Sequence, residues 1–298
     1  MELRVLRYFL SIVEEGGIAA AAEALHVTQP TISRQIAALE ETLGTELFFH
    51  DKRPLTLTPE GRIFFQRAQD IVELADKTEQ EFKKIALQDL TGTIGIGLVE
   101  SLGAMILPMV IGKSYMNHPG VQYQIYTGYA DDIKNRLDYG LLDVGVLVEP
   151  VDYTKYETLP LPLDDPWGVL MLATNPLANH TSVSIDELMD APLIVPQRVV
   201  NPSYKSSWLS NAIKGAKIVA TYNILSNAAL LAQSGIGYAI CHFGGALPRM
   251  NDKLVFVPLA PLQKSRSVLV WKRDRLFSPA MEMFLEEFRN TLASEILI

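Results

Sequence analysis

Thr28-Gln29-Pro30, followed by an apolar stripe at Ile32, Ile36 and Leu39, leaves the stretch from Gly16 to Gly61 few ways to fold. Val27-Thr28-Gln29-Pro30 reads as a helix start. A threonine hydroxyl at the N-cap can accept a backbone N–H, and a proline in the first turn lacks a donor that would be unpaired there anyway. Val27 and Ile32 have the spacing of a hydrophobic staple. Ile32, Ile36 and Leu39 fall on one inward face. At about 100° per residue the opposite face carries Pro30, Arg34, Ala37 and Ala38. Small residues let that face approach another surface closely, and one arginine projects from it. An Ala-rich helix from Ile18 to Leu25 precedes it after Gly16-Gly17. Two short helices and a tight turn, the second presenting a thin face, have the geometry of a helix that enters a major groove. Taken alone, the same pattern also describes an ordinary packed helix.

The flanks extend the pattern. Leu3, Leu6, Leu10 and Val13 give a first helix an inner face. Leu47-Phe48-Phe49 and Leu55-Thr56-Leu57 are short strand-like runs around Asp51-Lys52-Arg53-Pro54, a small hairpin with its cations at the tip. Such a tip suits phosphate or minor-groove contact, and equally describes a solvated turn. Thr58-Pro59-Glu60 then starts a long helix with Thr58 as N-cap, and no breaker follows from Arg62 to Leu90. About 30 residues at 1.5 Å each make an arm of roughly 45 Å. Phe64, Ala68, Ile71, Ala75, Thr78, Phe82 and Ile85 alternate steps of four and three, a heptad seam that predicts pairing with a second copy.

At Thr91-Gly92 the character changes. Thr93 to Val99 reads as a buried strand, with Ser101 capping a helix that holds Met105, Ile106, Met109 and Val110. Strand, helix and strand then alternate through Val148, with further strands at Trp167–Ala173, Ile218–Tyr222, Ile236–Cys241 and Val268–Trp271. Helices are expected near Ile185–Met189, Tyr204–Lys214 and Ser226–Gln233, with a closing helix from Pro279 to Leu292. Alternation of this kind predicts a layered α/β domain. Gly95-Ile96-Gly97 is not a dinucleotide fingerprint, since Glu100 stands at the third glycine position. The uncharged run from Ile218 to Pro248 carries too many Asn, Ser, Gln and Gly residues for a membrane span.

Composition bounds the rest. The 298 residues carry one cysteine, Cys241, so no intrachain disulfide forms, in keeping with a reducing cytoplasm. The N-terminus lacks the features of a signal peptide. Net charge is −8, and up to Arg62 there are six basic against nine acidic residues, so DNA binding would rest on where the cations sit. His26, His50, His118, His180 and His242 are scattered without metal-ligand spacing. Cys241 and His242, as strand neighbours, face opposite ways. No catalytic constellation, metal site or cofactor motif is read.

Leu39-Glu40-Glu41-Thr42-Leu43-Gly44-Thr45-Glu46-Leu47-Phe48, then Arg53 and Leu57-Thr58-Pro59-Glu60-Gly61, resemble the LysR-type transcriptional regulators. So do Ala21-Ala22-Glu23-Ala24-Leu25 and Thr28-Gln29-Pro30. The resemblance continues more faintly to the C-terminus through Pro119, Gly128, Gly140, Leu142-Asp143 and Gly235-Ile236-Gly237. It implies a fold of the α/β class with an N-terminal all-α winged helix-turn-helix (1–58), a long linker helix (59–90) that dimerises, and a two-subdomain effector domain (91–298) of the type II periplasmic-binding-protein kind. Subdomain I would comprise 91–163 and 267–298, and subdomain II 164–266. It implies Thr28, Gln29, Pro30, Thr31, Ser33, Arg34 and Arg53 as DNA contacts. Ser101, Thr127, Gln197, Ser203, Ser226 and Asn227, at strand ends and helix starts, would line a small-molecule cleft. Glu100 at that edge would repel an acidic ligand unless Arg198 or Lys205 offsets it. Gly17-Ile18-Ala19-Ala20 departs from the family's polar start of the second helix, and His50 stands where an arginine is common.

The implied protein is a ligand-responsive transcription regulator. Its partners are double-stranded DNA, a small-molecule effector, further copies of itself as homodimer or homotetramer, and RNA polymerase, with no membrane. A small-molecule-binding protein of the same fold is the alternative, and an α/β enzyme a third. Arg34 faces away from the apolar stripe and Arg53 sits at the wing tip, which predicts different roles. Arg34→Ala should weaken the cognate site by about 1–3 kcal/mol and relax sequence preference. Arg53→Ala should weaken all sequences alike and reduce the salt slope by about one. Salt titrations on cognate and scrambled DNA separate the two, and equal sequence-blind losses contradict the division.

Overall fold

The computed structural model describes residues 1–49, 55–85, 90–152, 154–200 and 208–295. The chain divides into two compact units, Met1–Leu87 and Gln88–Ile298.

In the first unit α1 (Leu3–Glu15), α2 (Ile18–Ala24) and α3 (Gln29–Leu43) pack around Phe9, which is fully buried. Gly16 ends α1 and Gly44 ends α3, at φ 75° and 68°, a left-handed conformation that side chains disfavour. Ile32, Ile36 and Leu39 are buried as the stripe requires. Thr28 is the N-cap residue, but its hydroxyl does not cap: it pairs with the Thr31 hydroxyl at 2.8 Å, and the Thr28 carbonyl accepts the Thr31 N–H. The hairpin forms from β1 (Phe48–Phe49) and β2 (Thr56–Leu57), antiparallel with Phe48 opposite Leu57. Its expected tip, including Arg53, lies outside the described residues.

The long helix α4 spans Pro59–Ile85. Here Thr58 does cap, accepting the Gly61 N–H at 2.9 Å while donating to the Glu46 carbonyl at 2.8 Å. The heptad reading needs correction at its start. Phe64 and Ala68 are not free for a partner helix. They join the core of their own unit, Phe64 meeting Phe9 edge-on at 5.0 Å and Ala68 fully buried. Arg7 on α1 ties α4 down further through Asp76. Instead Ile63, Ile71 and Leu74 are exposed, by 68%, 40% and 38%, within an arc of about 80°. Phe82 and Ile85 lie outside the residues whose side chains are described.

The second unit is a mixed α/β structure. Its elements are β3 (Gly92–Leu98), α5 (Leu107–Asn117), β4 (Val121–Thr127), α6 (Ala130–Asp138), β5 (Val144–Val148) and β6 (Tyr156–Leu172). Then follow β7 (Val183–Ser184), β8 (Leu193–Pro196), α7 (Gln197–Val200), α8 (Trp208–Ala212), β9 (Ile218–Tyr222), α9 (Leu225–Gln233) and β10 (Tyr238–His242). Last come α10 (Phe243–Ala246), β11 (Leu254–Ala260), β12 (Lys264–Lys272) and α11 (Pro279–Glu295). The strand order is β4-β3-β5-β12-β6-β10-β8-β9, with β11 on β6. The 17-residue β6 runs through both halves. Up to Pro166 it pairs with β12, and from Trp167 onward with β10 and β11. One lobe packs α5 and α11 on β3 and β4 around Phe284 and Phe288, and the other encloses Val169, Leu193 and Ile240.

Several expectations shift. Ser101 precedes a 3-10 turn (Leu102–Ile106) rather than capping α5, and its side chain caps nothing. The Ile185 region holds only a 3-10 turn, Asp186–Leu188. The Ile218–Pro248 run is strand, helix, strand and short helix, and among the described residues no helix is long and apolar enough to cross a membrane.

Two glycines give opposite expectations. A Cβ on Gly61 would lie 2.0 Å from the Leu47 carbonyl oxygen, whereas one on Gly112 in α5 meets nothing within 4 Å. Gly61→Ala should destabilise by about 1–3 kcal/mol or more, and Gly112→Ala should stabilise by roughly 0.5–1 kcal/mol. Urea titrations followed by circular dichroism check both signs.

Candidate functional sites

The outward side of α3 gathers polar groups at its start. Thr28, Gln29, Pro30, Ser33 and Arg34 are exposed and Thr31 is half-buried. Arg34 Nε donates to the Pro30 carbonyl at 3.2 Å, so the guanidinium lies back along the first turn. Ala37 and Ala38 beside it are exposed and add no bulk. Part of the unit's acidity is structural. Glu40 Oε1 accepts the Leu47 N–H at 2.7 Å and the Phe48 N–H at 3.3 Å, anchoring the hairpin to α3.

In the second unit the cleft forms where β6 and β12 cross between lobes. Asp165 is fully buried there and accepts the N–H groups of Leu102 at 2.8 Å and Gly244 at 2.9 Å, one from each lobe. Burial raises its pKa, against the backbone N–H bonds that favour the charged form. A side chain at Gly244 would place its Cβ 1.9 Å from Leu102 N, so only glycine lets the lobes close here. Two further links span the cleft. Glu100 pairs with Arg249 and accepts the Leu225 N–H at 2.7 Å. The Tyr129 hydroxyl donates to the Tyr222 carbonyl at 2.8 Å.

Between the lobes lies a small inner cavity of about 60 Å³, bordered by Glu100, Thr127, Arg198, Tyr222 and His242. A wider groove of about 1280 Å³ shares Tyr129, Trp167 and Arg198 with it and adds Gln197 and Trp208. Of the expected ligand contacts, Thr127 borders the cavity and Gln197 the groove. Ser101 is buried behind them, accepting a hydrogen bond from the Ser267 hydroxyl at 3.1 Å. Ser226 accepts from Arg249 at 2.6 Å, and Asn227 is exposed on α9 and borders neither space. Ser203 lies outside the described residues. Glu100 is offset by Arg249, not by Arg198, so it presents no free charge to a ligand. The aromatic lining of Tyr129, Trp167 and Tyr222 carries no capping or motif signal, and sequence reasoning passed over it.

His242 is enclosed with its ring centroid 3.9 Å from that of Trp167. The indole N–H donates to Ser265 Oγ at 3.0 Å, leaving the serine proton for His242 Nε2 at 3.1 Å, which fits a neutral ring. Burial, and then Arg198, depress its pKa to about 3. Burial likewise pushes up the Cys241 thiol and the Tyr222 phenol, so both stay protonated. Among the described residues no group of three or more His, Cys, Asp or Glu side chains could hold a metal ion.

A helix-turn-helix with a small hairpin, a long helix and a two-lobed α/β unit around a ligand-sized groove define a class, the transcription regulators that carry their own ligand receptor. Residues 3–62 match the bacterial regulatory helix-turn-helix proteins of the lysR family, and residues 87–293 match the LysR substrate binding domain. Similar proteins include the Hca operon transcriptional activator HcaR of Escherichia coli (strain K12), 30% identical over 300 residues that cover 99% of both chains. The HTH-type transcriptional regulator BenM of Acinetobacter baylyi (strain ATCC 33305 / BD413 / ADP1) is 39% identical over 145 residues, 49% of this chain and 47% of BenM. Among solved structures, CbnR, a LysR family transcriptional regulator, aligns with TM-score 0.75 at 22% identity over 98% of this chain and 99% of CbnR, a likeness of fold. The chain belongs to the LysR family of transcriptional regulators, with a DNA-binding helix-turn-helix and an effector-binding domain.

The histidine sets a pH dependence. Its native pKa of about 3 lies below the ordinary 6.5, so its neutral form contributes fully above pH 6.5. As pH falls from there toward 3, the unfolded chain takes up a proton that the native state refuses, and stability declines. His242→Asn should remove that component, about 1 kcal/mol at roughly pH 5.5. Comparing the difference in urea midpoint between variant and parent at pH 7.5 and 5.5 checks it; a pH-independent difference contradicts it.

Proposed function

We propose that this regulator binds operator DNA as a homodimer or homotetramer in the cytoplasm and changes promoter activity when a small metabolite enters the cleft of its second unit. It acts without catalysis, and RNA polymerase is the partner through which occupancy becomes transcription. The carrying observation is that the cavity's walls come from both lobes, which Asp165, Glu100–Arg249 and Tyr129–Tyr222 hold together. A molecule there can favour one lobe arrangement over another. That differential affinity is what shifts an equilibrium; tight binding to both arrangements would shift nothing.

In this reading 1–58 read DNA through Thr28, Gln29, Pro30, Thr31, Ser33 and Arg34, with Arg53 on the backbone. The helix across 59–90 pairs copies, supported by exposed Ile63, Ile71 and Leu74 on one arc. Residues 91–298 form the receptor, its subdomains meeting near residues 163–164 and 266–267, where β6 and β12 cross. Thr127 and Gln197 touch the ligand, and Ser226, held by Arg249, lies at its margin. Ser101 supports the wall from behind.

Footprinting on the DNA beside the chain's own gene, with and without a metabolite panel, tests this. Two protected half-sites an integral number of helical turns apart are expected, and one metabolite should alter the spacing or extent of protection. Thr127→Ala should weaken that alteration while leaving the ligand-free footprint unchanged. Absence of protection at low salt, or a footprint indifferent to every metabolite that binds, would refute the reading.

A further inference from the structure

We infer that Glu100 is a tethered ligand: its carboxylate, carried in on the lobe of β3, fills an anion seat at the start of α9 and holds the lobes together before any effector arrives. This rests on the reading of the cleft as the effector site and names how that site is regulated.

The seat exists because α9 starts without a cap of its own. Ile224 holds the N-cap position, and an isoleucine side chain cannot accept the free N–H groups of a first turn. The Leu225 N–H instead donates to Glu100 Oε2 at 2.7 Å, from a residue 125 positions away on the other lobe. Beside it stands Arg249, which is anchored independently of the glutamate. One guanidinium nitrogen donates to the Gly245 carbonyl at 2.6 Å. Another donates to Ser226 Oγ at 2.6 Å and to Glu100 Oε1. A helix start and a fixed guanidinium together make a place for an anion. Charge-assisted bonds of this kind are about twice as strong as neutral ones. Every donor belongs to the lobe of α9, and the acceptor comes from the lobe of β3.

The position of this contact separates it from the fixed joint at Asp165. Asp165 is fully buried, whereas Glu100 and Arg249 keep 20% and 19% of their side-chain surface in solvent. Glu100, Leu225 and Gly245 all border the inner cavity. The Tyr129–Tyr222 link beside the same cavity is a single neutral bond. Glu100 thus supplies a charged contact that water, or a molecule in the cavity, can reach and undo. When it lets go its seat remains, because Gly245 and Ser226 still hold Arg249 in place.

The test removes the tether and returns the carboxylate free. Glu100→Ala deletes a CH2–COO⁻ group, which has the heavy atoms of acetate. In the full-length protein without DNA, the Leu225 amide of Glu100→Ala should exchange its hydrogen at least about tenfold faster than in the parent. Acrylamide should also quench tryptophan emission more strongly, since Trp167 and Trp208 line the groove. Acetate should reverse both changes, and acetamide, of like shape without the charge, should reverse neither. Glu100→Gln keeps the shape and fills the seat, so it should speed exchange less and gain nothing from acetate. Parental exchange in Glu100→Ala, or acetate that does no more than acetamide, overturns the inference. Faster exchange with parental quenching reveals a helix cap that holds no lobes, and overturns it too. Should Glu100→Ala fail to fold by circular dichroism, Glu100→Gln decides: faster exchange and quenching support the latch, and parental values overturn it. A ligand-free footprint that stays parental in Glu100→Ala while exchange and quenching move contradicts the link from cleft to DNA in the proposed function and leaves the latch standing.

Discussion

Asp165 is wholly enclosed, yet each of its carboxylate oxygens has a partner, and the partners belong to different lobes. A buried carboxylate left bare would be among the most unfavourable groups a protein can hold, so the two N–H groups that meet it are constrained to stay. The rest of the second unit follows from that fixed point. Leu102 begins the turn leading into α5, Gly244 sits in α10, and their near neighbours Glu100 and Gly245 border the cavity. The glycine is required because the backbones approach too closely for a side chain.

Around this point the cleft is closed from within by polar contacts that water or a ligand can replace. The Glu100–Arg249 pair retains one-fifth of its side-chain surface in solvent, unlike Asp165. The Tyr129–Tyr222 bond rests on one hydroxyl. The permanent joint is thus the buried one, and the adjustable ones lie at the cavity wall. A ligand that competes for the adjustable contacts can alter how the lobes meet without unfolding the joint.

Much of this was legible in the chain. The stripe of α3, the hairpin, the Thr58 cap and the α/β alternation all rest on local rules, and the structure follows them. The site was less legible because its determinants are not local. Thr127 and Gln197, read from their place at strand ends, border the cavity and the groove, but Ser101 has the same signal and turns inward to Ser267, a partner 166 positions away. The start of the α4 seam was misread because Phe64 and Ala68 fit a heptad and a domain core equally well; only the position of Phe9 distinguishes them. The first half of β6 escaped notice because Pro160, Pro162 and Pro166 interrupt its hydrophobic pattern, and β12 supplies the pairing that makes it a strand. Arg249 gives no hint of its role until Glu100 is beside it.

The passage between lobes has a mechanical side. Neither crossing is a loop. Asp164, Asp165 and Pro166 are in register with Arg266, Ser265 and Lys264, so the connection is a two-stranded ribbon with an irregularity between Arg266 and Val268. A ribbon of this kind resists bending in its own plane, because that would stretch one strand's bonds against the other's. It yields readily to twist, the deformation that paired strands already carry and that a bulge increases. The lobes are therefore coupled like plates on a torsion strip, and displacement at the cavity reaches the outer surfaces of the unit as rotation rather than separation.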